Sequence, residues 1–532
     1  MGGDLAALKN SIHQNKNCSV FFAAGASRCH ISAGLDKFFL YIAPDRISAR
    51  AARDSLAEFC GRDVALLLEK DDVLINLQSY VSATLSERMG ALTSVYNREV
   101  AGAVITAEGI CQYFPNVISF GESLIKIKAG DEIPMEELIS KLVLGGYRRE
   151  ELTEASGSFS VRGDRLDVWA ANLELPLRIE FFGDTIESLR LFAPDSMISV
   201  RALNEAIITP RSDILISGDK KEELLKKLQF ARRNAKQKTT EIIDDIIRKL
   251  EINPSDPSLV WLIPFMTDMM STIFDYLPGD AVIVWDEIKA IDDKIRLAHN
   301  AHNIRLKTFI EAGEALPEHS KSLMAMEKVY GLAKKFTLLG FQQITSQNPV
   351  FEPDALYNIK AMPMPRYSVN MQTLAQDANN IALSGGRVYI FTGNDTAAKA
   401  ISDFLLENGI ASQISPDGEG ALREVIIVTK QVSRGFNYPK YHLAVVGTDE
   451  ILRKATAKKK SAARKRQAFV MPVKGDYVVH EKHGIGLSEG VVSVETRNGK
   501  RDYYVVLYKG GDRLYLPVDQ LDSIEKYTGG GT

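Results

Sequence analysis

The stretch CSVFFAAGASRCHIS (18–32) joins an apolar run to a helical pattern through a loop placed where a phosphate-binding turn would lie. Apolar runs of this length, bounded by polar turns, read as buried strands of a parallel sheet. Three more follow: KFFLYIAPD (37–45), DVALLLE (63–69) and AGAVITAE (101–108). Between them, ISARAARDSLAEF (47–59) and LSERMGALTSVYN (85–97) carry helical spacing, so residues 1–125 are expected to form an α/β lobe.

A working phosphate loop wraps its ligand with the N–H groups of two glycines. It adds a Lys for the terminal phosphates and a hydroxyl for magnesium. Here Gly25 supplies one glycine, Ser27 stands where the second belongs, and Arg28 and Cys29 replace the Lys and the hydroxyl. A soft thiol is a poor magnesium ligand. AVIVWDE (281–287) ends in Asp286-Glu287, the strand-then-acid arrangement of nucleotide hydrolases, but with no competent loop to serve. The loop is read as the structural remnant of a nucleotide fold, and no residue is assigned as catalytic.

Outward from this lobe the pattern changes. MEELISKLVLGGY (135–147) is an amphipathic helix ended at Gly145-Gly146. GSFSVRGDRLDVWAA (157–171) and LPLRIEFFGDTIESLRLF (175–192) alternate with period two around Gly-Asp turns, which predicts antiparallel hairpins over 126–210. Residues 211–335 hold a long helical stretch (218–252) and the 281–287 strand, and 336–451 read as a third α/β domain. A basic linker (452–470) follows, whose run 452–467 holds eight Lys or Arg and no acid. It fits a solvated hinge, or weak nonspecific contact with DNA phosphates. Residues 471–532 are short strands with Gly-Asp and Asn-Gly turns, the pattern of a small β-barrel.

The chain has 532 residues, a net charge of −3, 45% hydrophobic and 25% charged residues. That excludes wholesale disorder and bulk-charge coating of nucleic acid. No apolar run approaches 18 residues, which argues against a membrane span, and a cytoplasmic location is expected. Four separated cysteines without a CxxC pair suit neither a disulfide framework nor a zinc ribbon. His480 and His483 could share a metal, but no third ligand is near, and a structural role is expected. The barrel is close to neutral, with eight Lys or Arg against nine Asp or Glu over 471–532, so a protein partner is expected before nucleic acid. SEGVVSVET (488–496) would suit addition to a partner's sheet edge, or be an ordinary barrel strand. In the antiparallel region, Arg162, Arg178 and Phe181-Phe182 have the composition of an interface hot spot, and alternation puts at least one of the two rings outside.

GDYVVHEKHGIG and DYYVVLYKGGDRLYLPVDQLDSIEKY (475–486 and 502–527) resemble the CarD-like, RNA polymerase-interacting domain of the bacterial transcription-repair coupling factor family (Mfd). FSVRGDRLDVW and ELPLRIEFFGDTIESLRLF (159–169 and 174–192) resemble the domain this family shares with UvrB, through which both bind UvrA. The loop region is similar to the family's UvrB-like first lobe, whose phosphate loop is also degenerate, and 340–450 matches its third domain in outline.

The fold class implied is α/β plus β. It comprises a UvrB-like scaffold with an inserted antiparallel domain, a further α/β domain and a C-terminal SH3/Tudor-like barrel. The resemblance implies UvrA contacts at Arg162, Arg178 and Phe182. It implies contacts to the polymerase β subunit at Val494, flanked by Val492 and Glu495. Family members continue into an ATP- and magnesium-dependent helicase motor, whereas this sequence stops at KYTGGGT and holds no GKT or GKS loop. The expectation is therefore a binding module without enzymatic activity or cofactor, recruiting UvrA to stalled polymerase and touching DNA weakly or through the motor. The alternatives are a CarD-like transcription regulator on an inert scaffold, and a residual ATPase.

Overall fold

Seven strands build the first sheet of the computed structural model, which describes residues 3–70, 83–216, 218–233, 235–252, 257–342, 348–418, 424–452, 473–480, 484–496, 499–507, 513–517 and 524–526. In sheet order they are Ala355–Asn358, Cys18–Phe21, Thr337–Gln342, Val282–Asp286, Phe39–Ala43, Gly102–Thr106 and Ala65–Leu67. All neighbours run parallel. Helices cover both faces, so the central strands are apolar without alternation: Val282, Ile283, Val284 and Trp285 are all fully buried. The helix Arg46–Cys60 begins at Asp45, whose carboxylate accepts from the Ser48 N–H at 2.8 Å. It ends at Gly61 in the left-handed conformation.

The strands Thr337–Gln342 and Ala355–Asn358 flank Cys18–Phe21 in this sheet, which corrects the expected third-domain start at 336. Leu338, Leu339 and Phe341 are needed to complete the sheet centre, and an apolar run alone does not reveal which of two parallel sheets it joins. The third sheet begins only at Met362–Pro363.

The inserted domain is closed by Ile125–Lys128 pairing antiparallel with Glu205–Ile208. Between these lies a six-stranded sheet in the order Ser199–Leu203, Thr185–Phe192, Leu177–Phe182, Arg165–Val168, Ser158–Arg162 and Arg148–Arg149. The helix Met135–Leu144 buries Leu138 and Leu142 against Phe159, Leu166, Ile179 and Leu189, and stops at Gly145. A buried Lys70–Asp213 ion pair ties the end of this domain to the first lobe.

In the third sheet, Arg387–Phe391, Val425–Val428, Leu443–Val446 and Ser412–Ile414 run parallel. Helices Met371–Leu383 and Asp395–Glu407 cover one face. The other face packs on the first lobe, where Phe391, Ile426, Phe436, Tyr438 and Val445 share a core with Ala26, Cys29, Ala49 and Leu56.

Residues Met1–Arg453 form one compact unit and Lys454–Thr532 a second. In the second, five antiparallel strands run in the order Arg513–Pro517, Gly499–Leu507, Gly484–Thr496, Tyr477–His480 and Ile524–Lys526, around buried Val478, Tyr504, Val505 and Val506. Among the described residues no pairing joins the first and last of these strands into a closed barrel. Most of the 452–470 linker lies outside the described residues, and so does His483. Among those described, no group of three or more His, Cys, Asp or Glu is placed to hold a metal. No described helix is long and apolar enough to cross a membrane.

Candidate partner-binding surfaces

Two hairpins present the outer face of the six-stranded sheet. Arg162 pairs with Arg165 across Gly163-Asp164, and Phe182 pairs with Thr185 across Gly183-Asp184. Both glycines have positive φ (58° and 61°), as a Gly-first two-residue hairpin turn requires. Alternation then sorts the strands. Leu177, Ile179 and Phe181 face the helix Met135–Leu144, while Arg178, Glu180 and Phe182 face away.

Register places Arg165 beside Glu180, Asp167 beside Arg178, and Arg178 beside Arg190. The three residues named from the sequence therefore share one face, though they are not alike in exposure. Phe182, at the hairpin tip, is 80% exposed. Arg162 is exposed and, among the described residues, its side chain donates only to the Glu151 carbonyl, at 3.3 Å.

Arg178, expected to be an exposed contact, is only 7% exposed. Its Nε and Nη2 donate to the Asp167 carboxylate at 2.9 and 3.0 Å, and Nη1 to the Met197 carbonyl at 3.3 Å. The guanidinium lies 4.4 Å from the Phe192 ring centroid. Its hydrogen bonds to Asp167 hold it charged, above its ordinary range. Arg178 thus braces the face from beneath, and the turn at 193–198 covers it. The outer face also carries Arg165, Glu180 and Arg190, which sequence reasoning missed. Period-two alternation from Arg178 marks Glu180, but Arg165 and Arg190 are placed only by cross-strand register.

In the second unit, the strand Gly484–Thr496 pairs with Tyr477–His480 only through Gly484 to Leu487. A register shift follows between Ser488 and Gly490, where φ is 84° at the glycine. From Gly490 to Thr496 the strand pairs with Gly499–Leu507 alone among the described residues. One backbone edge there is open, the situation that invites addition of a partner strand. Val491 and Val492 are 47% and 43% exposed on this stretch. Val492 lies opposite Tyr503, Val494 opposite Arg501 and Glu495 opposite Lys500, while the side chains of Val494 and Glu495 lie outside the described residues.

The loop at 24–29 is filled from within. Gly25 has φ 59°, and a Cβ there would meet the Gly435 carbonyl at 3.0 Å. The Ser27 hydroxyl donates to the Ala24 carbonyl at 2.7 Å instead of facing a ligand. Arg28 pairs with Asp286 at 2.5 Å and with Glu287, and its Nε donates to the Ala23 carbonyl at 2.9 Å. Burial opposes the guanidinium's charge, but Asp286, Tyr41 and Glu287 together more than offset this and hold it charged. Burial pushes the Cys29 thiol up to about 12, so it offers no thiolate to a metal. Asp286-Glu287, expected to stand without a partner, therefore face an internal cation where metal and phosphate would sit.

Two segments match known families by sequence. Residues 125–213 match the UvrB interaction domain, and 473–528 match the CarD-like/TRCF RID domain. The chain is similar to the transcription-repair-coupling factors. With that of Bacillus subtilis (strain 168) it shares 24% identity over 99% of this chain and 46% of the relative. With that of Staphylococcus haemolyticus (strain JCSC1435) it shares 26% over 83% and 39%, and with that of Staphylococcus aureus (strain MRSA252) 24% over 83% and 39%. The chain spans less than half the length of these transcription-repair-coupling factors, and both family matches fall within the similarity to the Bacillus protein. They coincide with the two surfaces described above: the braced outer face and the open-edged strand.

Proposed function

We propose that these 532 residues serve transcription-coupled nucleotide-excision repair as a binding module. The inserted domain recruits UvrA, and the C-terminal unit, read as an SH3/Tudor-like barrel, holds the β subunit of RNA polymerase. The observation that carries this reading is the presence, on one chain, of a UvrB interaction domain and a CarD-like domain. The supporting geometry is an exposed aromatic beside arginines on the first and, on the second, a strand edge unpaired among the described residues.

Arg162 and Phe182 act as direct UvrA contacts, with Arg178 beneath them. Val492, Val494 and Glu495 lie on the strand offered to polymerase. ATP hydrolysis is not assigned to the 24–29 loop, because Arg28 takes the carboxylates that a nucleotide-bound metal would need. Pull-down of purified UvrA and of a polymerase β fragment tests the reading. Binding of both supports it. Binding of polymerase without UvrA would favour a CarD-like transcription regulator on an inert scaffold. Turnover of ATP that is lost on Asp286→Asn would restore the enzymatic alternative.

A further inference from the structure

We propose that the cleft between the first lobe and the third sheet binds a purine mononucleotide, with its phosphate at Arg387 and His442 and its base edge at Glu58. The cleft encloses about 680 Å³ and lies within the N-terminal unit, a size suited to a small ligand. None of its lining residues belongs to the filled 24–29 loop, which it meets through the Tyr438 hydroxyl donating to the Ser27 carbonyl at 3.3 Å.

The floor is the row Arg387, Tyr389, Phe391 on the sheet face turned away from the helices, and the roof comes from His30, Glu58 and Phe59. Aromatic rings border it: Phe59 of the roof meets Phe391 of the floor edge-on at 6.3 Å and closes the cleft there, while Tyr438 meets Tyr441 edge-on at 5.9 Å. Flat, apolar walls of this kind favour a stacked heteroaromatic ring.

The two ends differ in charge. Arg387 opens its strand, while Lys430 follows Val428, the register partner of Phe391. The two cations therefore stand roughly 20 Å apart along the sheet. At the first end are Arg387 and His442, with Tyr441 next in the chain, and among the described residues no carboxylate lines it. Arg387 makes no ion pair among the described residues. Tyr441 Oη is buried without a hydrogen-bond partner among the described residues, and such a buried hydroxyl calls for one. His442 is held in the left-handed region at φ 47°, the kind of local strain found at ligand sites.

The second end carries Lys430 with the carboxylates of Glu58 and Asp417. Carboxylates accept from the N–H edge of a base, and Lys430 can donate to a ring or carbonyl acceptor. A donor for an anion at one end, aromatic walls between and acceptors at the other match phosphate, base and base edge in that order.

Isothermal titration of the full chain with GMP, AMP, UMP and inorganic phosphate tests this. The expected result is saturable binding of a purine nucleotide with Kd below about 1 mM. UMP and phosphate should bind at least about tenfold more weakly, since they lack the ring area or the ring altogether. Arg387→Ala, at an exposed position, should weaken purine binding about tenfold without moving the melting temperature. Tyr389→Ala should weaken it similarly, and Tyr441→Phe by a few-fold. No saturable purine binding would overturn the proposal. So would phosphate binding as tightly as GMP, or Arg387→Ala binding like the unmodified chain.

Discussion

Phe182 and Arg178 stand four residues apart on one strand face, yet they answer to different forces. Phe182 touches nothing that the fold needs, being 80% exposed at the hairpin tip. Phe182→Ala should leave thermal stability within about 0.5 kcal/mol but lower UvrA affinity by about 2 kcal/mol, or thirtyfold. Arg178 is the reverse. Arg178→Ala leaves the Asp167 carboxylate buried without its bidentate partner and should cost about 3 kcal/mol of stability, read by urea denaturation. UvrA binding should fall with it because the bracing is lost; undiminished stability would refute the buried-brace role. The hot-spot composition of this face and at least one exposed ring were legible in LRIEFF. The burial of Arg178 was not, because it depends on Asp167 from a neighbouring strand and on a turn fifteen or more residues later. In the same way, Arg28 was readable as a missing Lys, but its pairing with Asp286, 258 residues away, was not.

At the scale of elements, the strand Gly484–Thr496 departs from its first neighbour at the 488–490 register shift, and its later half has one edge unpaired among the described residues. Val494→Arg should lower affinity for the polymerase β fragment at least about tenfold while UvrA binding stays unchanged; equal loss of both would point to unfolding instead. The seam between the first lobe and the third sheet makes a pH prediction. His30 is packed against Phe59, Phe436 and Tyr438, with the Tyr438 hydroxyl 3.3 Å from Nδ1. Burial lowers its pKa to about 4 from the usual 6.5. The folded state thus binds fewer protons than the unfolded one between these values. Stability should be full above about pH 6.5 and fall towards pH 4, by roughly 3 kcal/mol if the whole shift is expressed. His30→Asn should flatten that slope in denaturation experiments run from pH 4.5 to 7. The sheet membership of the strands behind this seam was not legible in the sequence. TLLGF at 337–341 looks like any buried parallel strand, and its pairing with Cys18–Phe21 on one side and Val282–Asp286 on the other assigns it to the first lobe.

For the whole molecule, the order of parts carries more than any one site. In this near-neutral chain, Arg28 occupies the phosphate loop from within by pairing with Asp286 and Glu287. On the first lobe the chain carries an inserted sheet with one outward aromatic tip, and in a second compact unit a strand with an open edge. Two separate surfaces on one chain predict independent binding, with neither partner competing for the other. The most direct measurement is a three-component co-precipitation of this chain with UvrA and the polymerase β fragment, run beside the Phe182→Ala and Val494→Arg variants. The account predicts that the unmodified chain retains both partners at once, that Phe182→Ala loses UvrA alone, and that Val494→Arg loses polymerase alone. Failure to retain either partner, or retention of both by each variant, would contradict it.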